Sequence, residues 1–203
     1  MKKPVYLVLF LIFALTGWSC SVFQTMVNVS RLKFKLDQVN NFHVDGIPVS
    51  AKTRLKDFSA VELLKLSSSF AKGKLPVSFI INVQAKNPND GTGGYPRTNA
   101  VIKSFPWKLI INDKETVSGD ISSPVSVPGT GEATVIPIQF NVDLMNFFKD
   151  KGYESLINLA LNIGGYKGSA MNVALLAQPT VSTAIGNITY PGQLKIVSYK
   201  FTE

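Results

Sequence analysis

The sequence predicts a mainly β fold: an antiparallel β-sandwich with a few short helices, preceded by a signal peptide. Three observations carry this reading. Apolar and polar residues alternate in many short runs, the period of a half-buried strand. Clusters of Gly, Pro and Asn punctuate those runs, and no regular strand-helix alternation of a parallel sheet is present. The opening residues form a cationic start, an apolar middle and a small-residue exit. With 203 residues, 45% of them apolar, the chain is long enough for one generous core. Its single Cys and single His exclude an internal disulfide, a Cys-rich zinc cluster and most two-histidine metal sites. No cofactor and no metal are expected.

The leader comes first. Lys2 and Lys3 precede an unbroken apolar run from Val5 to Leu15, followed by Gly17, Trp18, Ser19 and Cys20. As a helix the run covers roughly 16 Å, about half of a hydrocarbon core, so cleavage is favoured over spanning. Cys20, just past the run, resembles the lipobox cysteine of bacterial lipoproteins, which becomes the acylated first residue. That family prefers Leu where this chain has Gly17, and Trp18 is bulky. Two other readings stay open: an uncleaved anchor from Pro4 to Phe23, and cleavage without acylation. On the first reading residues 1–19 are a signal peptide and 20–203 a single domain, lipid-anchored in the cell envelope. Ser21 after the cysteine weakly resembles outer-membrane sorting, with the body facing the periplasm.

Without residues 1–19 the formal charge falls from +8 to +6, and most of it lies near the leader. Arg31, Lys33 and Lys35 alternate with Leu32, Phe34 and Leu36, which places the cations on one face of a strand. Lys52, Arg54 and Lys56 repeat the pattern. The structural reading is a solvated sheet face whose lysines discourage edge pairing. The functional reading is attraction of both sets to anionic lipid head groups, about 1 kcal/mol per well-placed cation. Nucleic acid is not an expected partner, because no reading motif or aromatic interleaving is present.

Ser59-Ala60-Val61-Glu62 is a capping box that opens a short helix, with Leu63, Leu64, Leu66 and Phe70 as its apolar face and Gly73 as its stop. The clearest strand follows, with Leu75, Val77, Phe79, Ile81, Val83 and Ala85 on one face. Asn87-Pro88-Asn89-Asp90-Gly91 ends it, since Pro88 lacks a ladder donor and the others form turns. Gly91, Gly93 and Gly94 sit in a hairpin loop; no GKS or GKT follows to make a phosphate loop. Ala100 to Phe105 and Trp107 to Ile111 read as strand, residues 112–115 as a tight turn and Thr116 to Ser122 as the return, in the manner of a meander. Ala133 to Val142 is another strand, with Ile136, Ile138, Phe140 and Val142 inward. Asp143 starts a helical stretch to Lys151 that resumes from Tyr153 to Ile163. Its apolar residues exceed one helical face, so it packs across an end of the sandwich or lids an apolar cavity. Val173 to Phe201 reads as two or three strands, broken at Pro179, Gly186-Asn187 and Pro191-Gly192.

The order of these motifs is similar to that of a known family. Asn87-Pro88-Asn89, the return through Val117-Ser118-Gly119, Val127-Pro128-Gly129-Thr130-Gly131 and a strand ending in Asp143-Leu144 together resemble the LEA14-like, WHy-domain family (late embryogenesis abundant, type 2). The likeness covers roughly 75–148. The closing run from Gln178-Pro179-Thr180 to Pro191 resembles bacterial lipoproteins of this kind. The resemblance implies a fibronectin-III-like sandwich without a catalytic centre, in a family associated with water stress. The glycine loop 90–95 and the helical insertion 143–163 depart from the family pattern.

Chemistry is sparse. His43 and Asp45 stand two apart on one predicted face and could orient a base, but no nucleophile elbow accompanies them. His43 is read as a surface residue and no catalytic residue is assigned. The 13 acids show no calcium-loop or paired-carboxylate spacing. The expectation is therefore a membrane-anchored, non-catalytic envelope lipoprotein, a binding or structural and stress-protective module. The alternative is a carrier of a lipid or other apolar ligand in the periplasm. Mass spectrometry of the purified N-terminus is expected to find acylated Cys20 as the first residue; an intact Met1 would overturn the lipoprotein reading.

Overall fold

The computed structural model of the chain describes residues 23–49, 52–164, 173–198 and 200–202. The predicted leader (1–19) and Cys20 lie outside the described residues. Within these, the protein is mainly β, with antiparallel sheets and a few short helices.

Residues 23–30 are helical (α1). Strands β1 (Lys33–Val44), β2 (Ile47–Pro48), β3 (Pro76–Lys86) and β8 (Ala133–Asp143) form one antiparallel layer in the order β2-β1-β3-β8. The β3–β8 ladder is unbroken from Pro76 opposite Asp143 to Lys86 opposite Ala133. The second layer holds β4 (Ala100–Ser104), β5 (Trp107–Ile111), β6 (Lys114–Gly119), β7 (Val125–Val127), β9 (Val173–Ala177), β10 (Thr180–Thr183), β11 (Gly186–Thr189) and β12 (Leu194–Ile196).

This layer is split into two halves, β11-β10-β4-β7 and β12-β9-β5-β6. The split has a local cause. Pro106 and Pro179 stand on the two neighbouring chains one register position apart, opposite Gln178 and Phe105, and neither can donate to a ladder. Pairing nevertheless carries across the break without slipping, from Ser104 opposite Thr180 to Trp107 opposite Ala177. The Gln178 N–H donates to the Pro106 carbonyl at 3.0 Å in between. The two halves are thus one four-position layer interrupted at the two prolines. The predicted meander is met only in part: β5 and β6 form a hairpin through Asn112 and Asp113, both at positive φ, whereas β4 pairs with β7 and β10.

The layers join along one edge. Past β12, the Val197 carbonyl accepts from the Leu36 N–H at 3.0 Å, and the Thr202 N–H donates to the Phe34 carbonyl at 2.9 Å. The outer side of β1 is therefore occupied near its start by the C-terminal segment and near its end by β2.

Alternation set the core as expected. Leu75 through Ala85 on β3 and Ile136, Ile138, Phe140 and Val142 on β8 are buried. Phe79 stacks between Phe42 and Phe140 at 5.2 and 5.1 Å, and the Trp107 indole tilts onto Phe140 at 4.8 Å, linking one layer to the other. Gly119 makes room for that indole, because a Cβ there would meet its ring.

Helix α2 (Ala60–Ala71) opens on the predicted capping box: Ser59 Oγ accepts from the Glu62 N–H at 3.3 Å, and Glu62 Oε2 accepts from the Ser59 N–H at 2.7 Å. The Ser59 amide and then the Lys52 ammonium hold the Glu62 carboxyl below its ordinary value. Gly73 ends the helix at φ +72. One residue of its predicted apolar face is corrected. Leu64 is 72% exposed, because Leu63, Leu66 and Phe70 share a stripe that Leu64 leaves by about 100°.

A second correction concerns Lys52, Arg54 and Lys56, which form no strand. Residues 55–57 are a 3-10 turn, gathered by the Asp57 carboxylate accepting from the Thr53 and Arg54 amides at 2.8 and 3.0 Å. Helix α3 (Leu144–Phe147) starts after Asp143 as predicted but ends short of the predicted Lys151, and α4 (Tyr153–Gly164) falls where Tyr153 predicts it. All six predicted apolar residues of α4 are buried, and Phe42 packs against Gly164, so this helix is part of the core wall.

Phe140 touches both layers, so Phe140→Ala is expected to lower stability by about 3–5 kcal/mol. Urea unfolding checks this; a loss near zero would mean that the two layers do not share this contact.

Candidate functional site

The most elaborate polar chemistry of the described residues lies where β3 ends. Pro88 stops the ladder, and the flanking Asn87 and Asn89 are both buried. Asn87 Nδ2 donates to the Thr98 and Val127 carbonyls at 2.8 and 3.0 Å. Its Oδ1 accepts from the backbone and side-chain nitrogens of Asn89 at 3.1 and 2.9 Å. Asn89 Nδ2 also donates to the Asn28 carbonyl at 2.9 Å, and Asn89 Oδ1 accepts from the Arg31 guanidinium at 2.9 Å. The Asn87 carbonyl takes the Gly131 N–H at 3.2 Å. The two side-chain amides, with the Asn87 carbonyl, thus tie α1, the loop 90–99 and the loop 128–131 to the end of one strand. No apolar residue supplies both donors and acceptors there.

The surroundings are built to match. At Gly129 a Cβ would strike the carbonyls of Asn89 and Thr98, so this loop passes closer than any other residue allows. The Arg31 guanidinium, held by Asn89, lies 3.8 Å over the Tyr95 ring. The Tyr190 hydroxyl donates to the Ser30 and Leu32 carbonyls at 2.5 and 3.2 Å, fixing the exit of α1; burial pushes its pKa up.

Between α1, the start of β4 and the β10–β11 turn lies a cavity of about 440 Å³. Asn28, Val29, Thr98, Asn99, Ala100 and Ser182 are among its lining residues, and no charged side chain is. Asn28 is 9% exposed, and its Oδ1 is buried without a hydrogen-bond donor. A second cleft, about 520 Å³, lies beside the free edge of β8 and is lined by Trp107, Ile121, Val125, Ile136 and Ile138. The Trp107 Nε1 is likewise buried without a partner.

The predicted site residues are not brought together. Arg31, Lys33 and Lys35 stand at the α1 end of β1, with Lys33 exposed and Lys35 over the Phe201 ring at 5.1 Å. Lys52, Arg54 and Lys56 stand at the other end of β1, beside α2, roughly 30 Å away by strand rise. Lys52 is paired with Glu62 at 2.9 Å. The cations therefore form two groups and no common patch. His43 bonds the Asn41 carbonyl at 2.8 Å through Nδ1, while Asp45, in a positive-φ turn, accepts from Ser69 Oγ at 2.8 Å. The two do not pair. Among the described residues no group of three His, Cys, Asp or Glu could hold a metal ion. Sequence reasoning missed Asn28 altogether and saw Asn87 and Asn89 only as a strand stop. The signal available was that two amides flank Pro88 directly after an apolar face.

Replacing Asn87 by Ala strips partners from buried carbonyls and from Asn89 together. A stability loss of about 2–4 kcal/mol is expected in chemical unfolding. A loss within about 0.5 kcal/mol, the range of ordinary surface substitutions, would show that the network does not hold this end.

The chain matches no protein-family model, and no curated protein matches it. Solved structures to which it is similar include the solution structure of a late embryogenesis abundant (LEA) protein, At2g46140.1, at 18% identity, covering 98% of this chain and 90% of that one with a TM-score of 0.37. A crystal structure of a protein from Archaeoglobus fulgidus is similar at 12% identity, over 62% and 87% of the two chains, TM-score 0.32. The solution structure of AT1g01470 from Arabidopsis thaliana is similar at 19% identity, over 61% and 73%, TM-score 0.25.

Proposed function

We propose that this protein is a membrane-anchored, non-catalytic module that works by binding or by structural support at the surface of the envelope. The observation that carries the reading is the geometry of α1. Two residues separate Cys20 from Phe23 in the sequence, which leaves almost no linker. Val29 on this helix is buried, whereas Phe23 and Met26, one turn apart, are 68% and 55% exposed. A lipid on Cys20 would hold the body against the bilayer, and these two side chains would enter the head-group boundary. Arg31 and Lys33 follow at once and supply cations for anionic head groups. The periplasmic side of the outer membrane is the proposed location, and the LEA14-like motifs of the sequence favour a stress-protective role.

The second reading, a carrier of an apolar ligand, is favoured by the cleft beside β8, where Trp107, Ile121, Val125, Ile136 and Ile138 present apolar surface next to Asp120, Ser122, Ser123 and Gln139. It no longer involves α4 as a lid, since that helix is packed into the core.

The polypeptide starting at residue 20 with Cys20→Ser is expected to bind phosphatidylglycerol-containing vesicles weakly. Phe23→Asp with Met26→Asp should weaken that binding by about 10- to 100-fold, as the loss of two partly inserted apolar side chains requires. Lys52→Gln with Lys56→Gln should leave it unchanged. Equal binding by all three forms in vesicle sedimentation would sink the α1 reading.

A further inference from the structure

One edge of the sandwich is closed and the other is open. The C-terminal segment and β2 occupy the outer side of β1, whereas β8 pairs with β3 and, among the described residues, carries no strand on its other side. We propose that this free edge receives an extended segment of a partner protein with apolar residues at alternate positions. The inference goes beyond the membrane reading and does not need it. Which backbone groups the edge presents follows from the ladder. The Leu75 carbonyl accepts from the Leu144 N–H on the β8 side, and the Pro76 carbonyl accepts from the Asp45 N–H on the β1 side. Odd-numbered residues of β3 therefore bond to β8, and their partners Ile136, Ile138, Phe140 and Val142 bond back. The intervening Val135, Pro137, Gln139 and Asn141 turn their carbonyls away from β3, and all but Pro137 turn an N–H with them. These groups recur every ~6.7 Å, the spacing that another extended backbone matches.

Two features set this edge apart from one that is merely solvated. Exposed edges are ordinarily guarded by charge, lysine above all. In a chain of formal charge +8, the run from Ala133 to Val142 nevertheless contains no charged residue. Val135, Pro137, Gln139 and Asn141 are exposed along it, and their β3 neighbours Ile80 and Asn82 are uncharged too. Pro137 withholds one donor but leaves Gln139 and Asn141 complete. The second feature is the cleft of about 520 Å³ alongside, lined by Trp107, Ile121, Val125, Ile136 and Ile138. Asp120, its charged lining residue, is committed, since its carboxylate accepts from the Phe105 and Ile121 amides at 2.5 and 2.7 Å. A strand laid against β8 sends every second side chain toward this cleft and the others to solvent. A small apolar molecule would fill the cleft but leave the edge unpaired. A second copy could pair β8 with β8, but its inward residues stay in its own core and bring nothing to the cleft. An extended segment of another protein answers both features at once.

The test pans random 12-residue peptides displayed on phage against the full chain in a zwitterionic detergent, then titrates synthetic copies of the enriched peptides by calorimetry. Peptides with apolar residues at alternate positions are expected. On binding, the amides of Gln139 and Asn141 should exchange with solvent about tenfold more slowly, while those of Ile138 and Phe140, already bonded to β3, should be slow in both states. Gln139→Pro removes an outward N–H without touching the β3 ladder, and it should weaken binding about tenfold at an unchanged melting temperature. N-methylation of alternate peptide residues should abolish binding in one frame and spare it in the other, which reports strand pairing whatever the variant does to stability. Three outcomes overturn the proposal: a panning that enriches no peptide, peptides that leave the Gln139 and Asn141 amides unprotected, or a dimer in ultracentrifugation that Gln139→Pro dissolves, which would assign the edge to a second copy.

Discussion

The end of the sandwich that faces α1 depends on a requirement of the interior: two side-chain amides, buried where β3 stops, must have every donor and acceptor used. Pro88 ends the ladder, and the carbonyls of Thr98 and Val127 then need donors that no backbone provides. Asn87 Nδ2 supplies both, and Asn89, bonded to Asn87 Oδ1, donates to the Asn28 carbonyl, so that together they place α1, the glycine loop and the 128–131 loop relative to one another. Gly129 is the steric counterpart of the same requirement, since the loops approach too closely for a side chain. The helix that carries the exposed Phe23 and Met26, and the cavity beneath it, are both consequences of how these amides are satisfied.

The second layer shows how a local chemical limit shapes a sheet. Pro106 and Pro179 interrupt two neighbouring chains at adjacent register positions, yet the register continues beyond them. A single proline in a central strand would leave a lone carbonyl without a donor; two at adjacent positions create a break that both chains share. Phe105 and Trp107 stay directed into the core, where they meet Phe34 and Phe140. Aromatic contacts across the layers anchor the chain on either side of the break.

Much of this was legible in the sequence, and the limits have physical reasons. The β3 and β8 strands, the Ser59 capping box, the Gly73 stop and the helix starts at Asp143 and Tyr153 are local: period two, a reciprocal cap or a single turn residue specifies each. Leu64 was misplaced because four apolar residues crowd one short helix and the winning stripe is set by tertiary packing. Lys52, Arg54 and Lys56 imitate a strand face, but Asp57 captures the backbone of Thr53 and Arg54 locally and turns the chain. The candidate site was largely illegible. Asn28 and Asn99 belong to segments far apart in the chain, and nothing in an isolated Asn distinguishes a buried amide from a solvated one. Only Asn87-Pro88-Asn89 stood out, and its long-range partners were invisible until the loops met.

The distribution of charge along β1 bears on how such a body would meet a membrane. The strand runs 12 residues, about 40 Å at ~3.3 Å per residue, with Arg31 and Lys33 at one end and the Lys52 to Lys56 group at the other. At physiological ionic strength the field of a charged surface decays over ~8 Å, so cations ~30 Å apart along an upright strand cannot both feel it. If the body is held at its α1 end, only the near group contributes to attraction, and the far group must serve another purpose. Its environment suggests which: Lys52 is ion-paired with Glu62 and lies over the Phe58 ring, so part of this charge is committed to holding α2 against the sandwich. The two residues that separate Cys20 from Phe23 leave a tether on Cys20 little reach, which favours the orientation that brings the α1 end, with Phe23, Met26 and the near cations, to the surface.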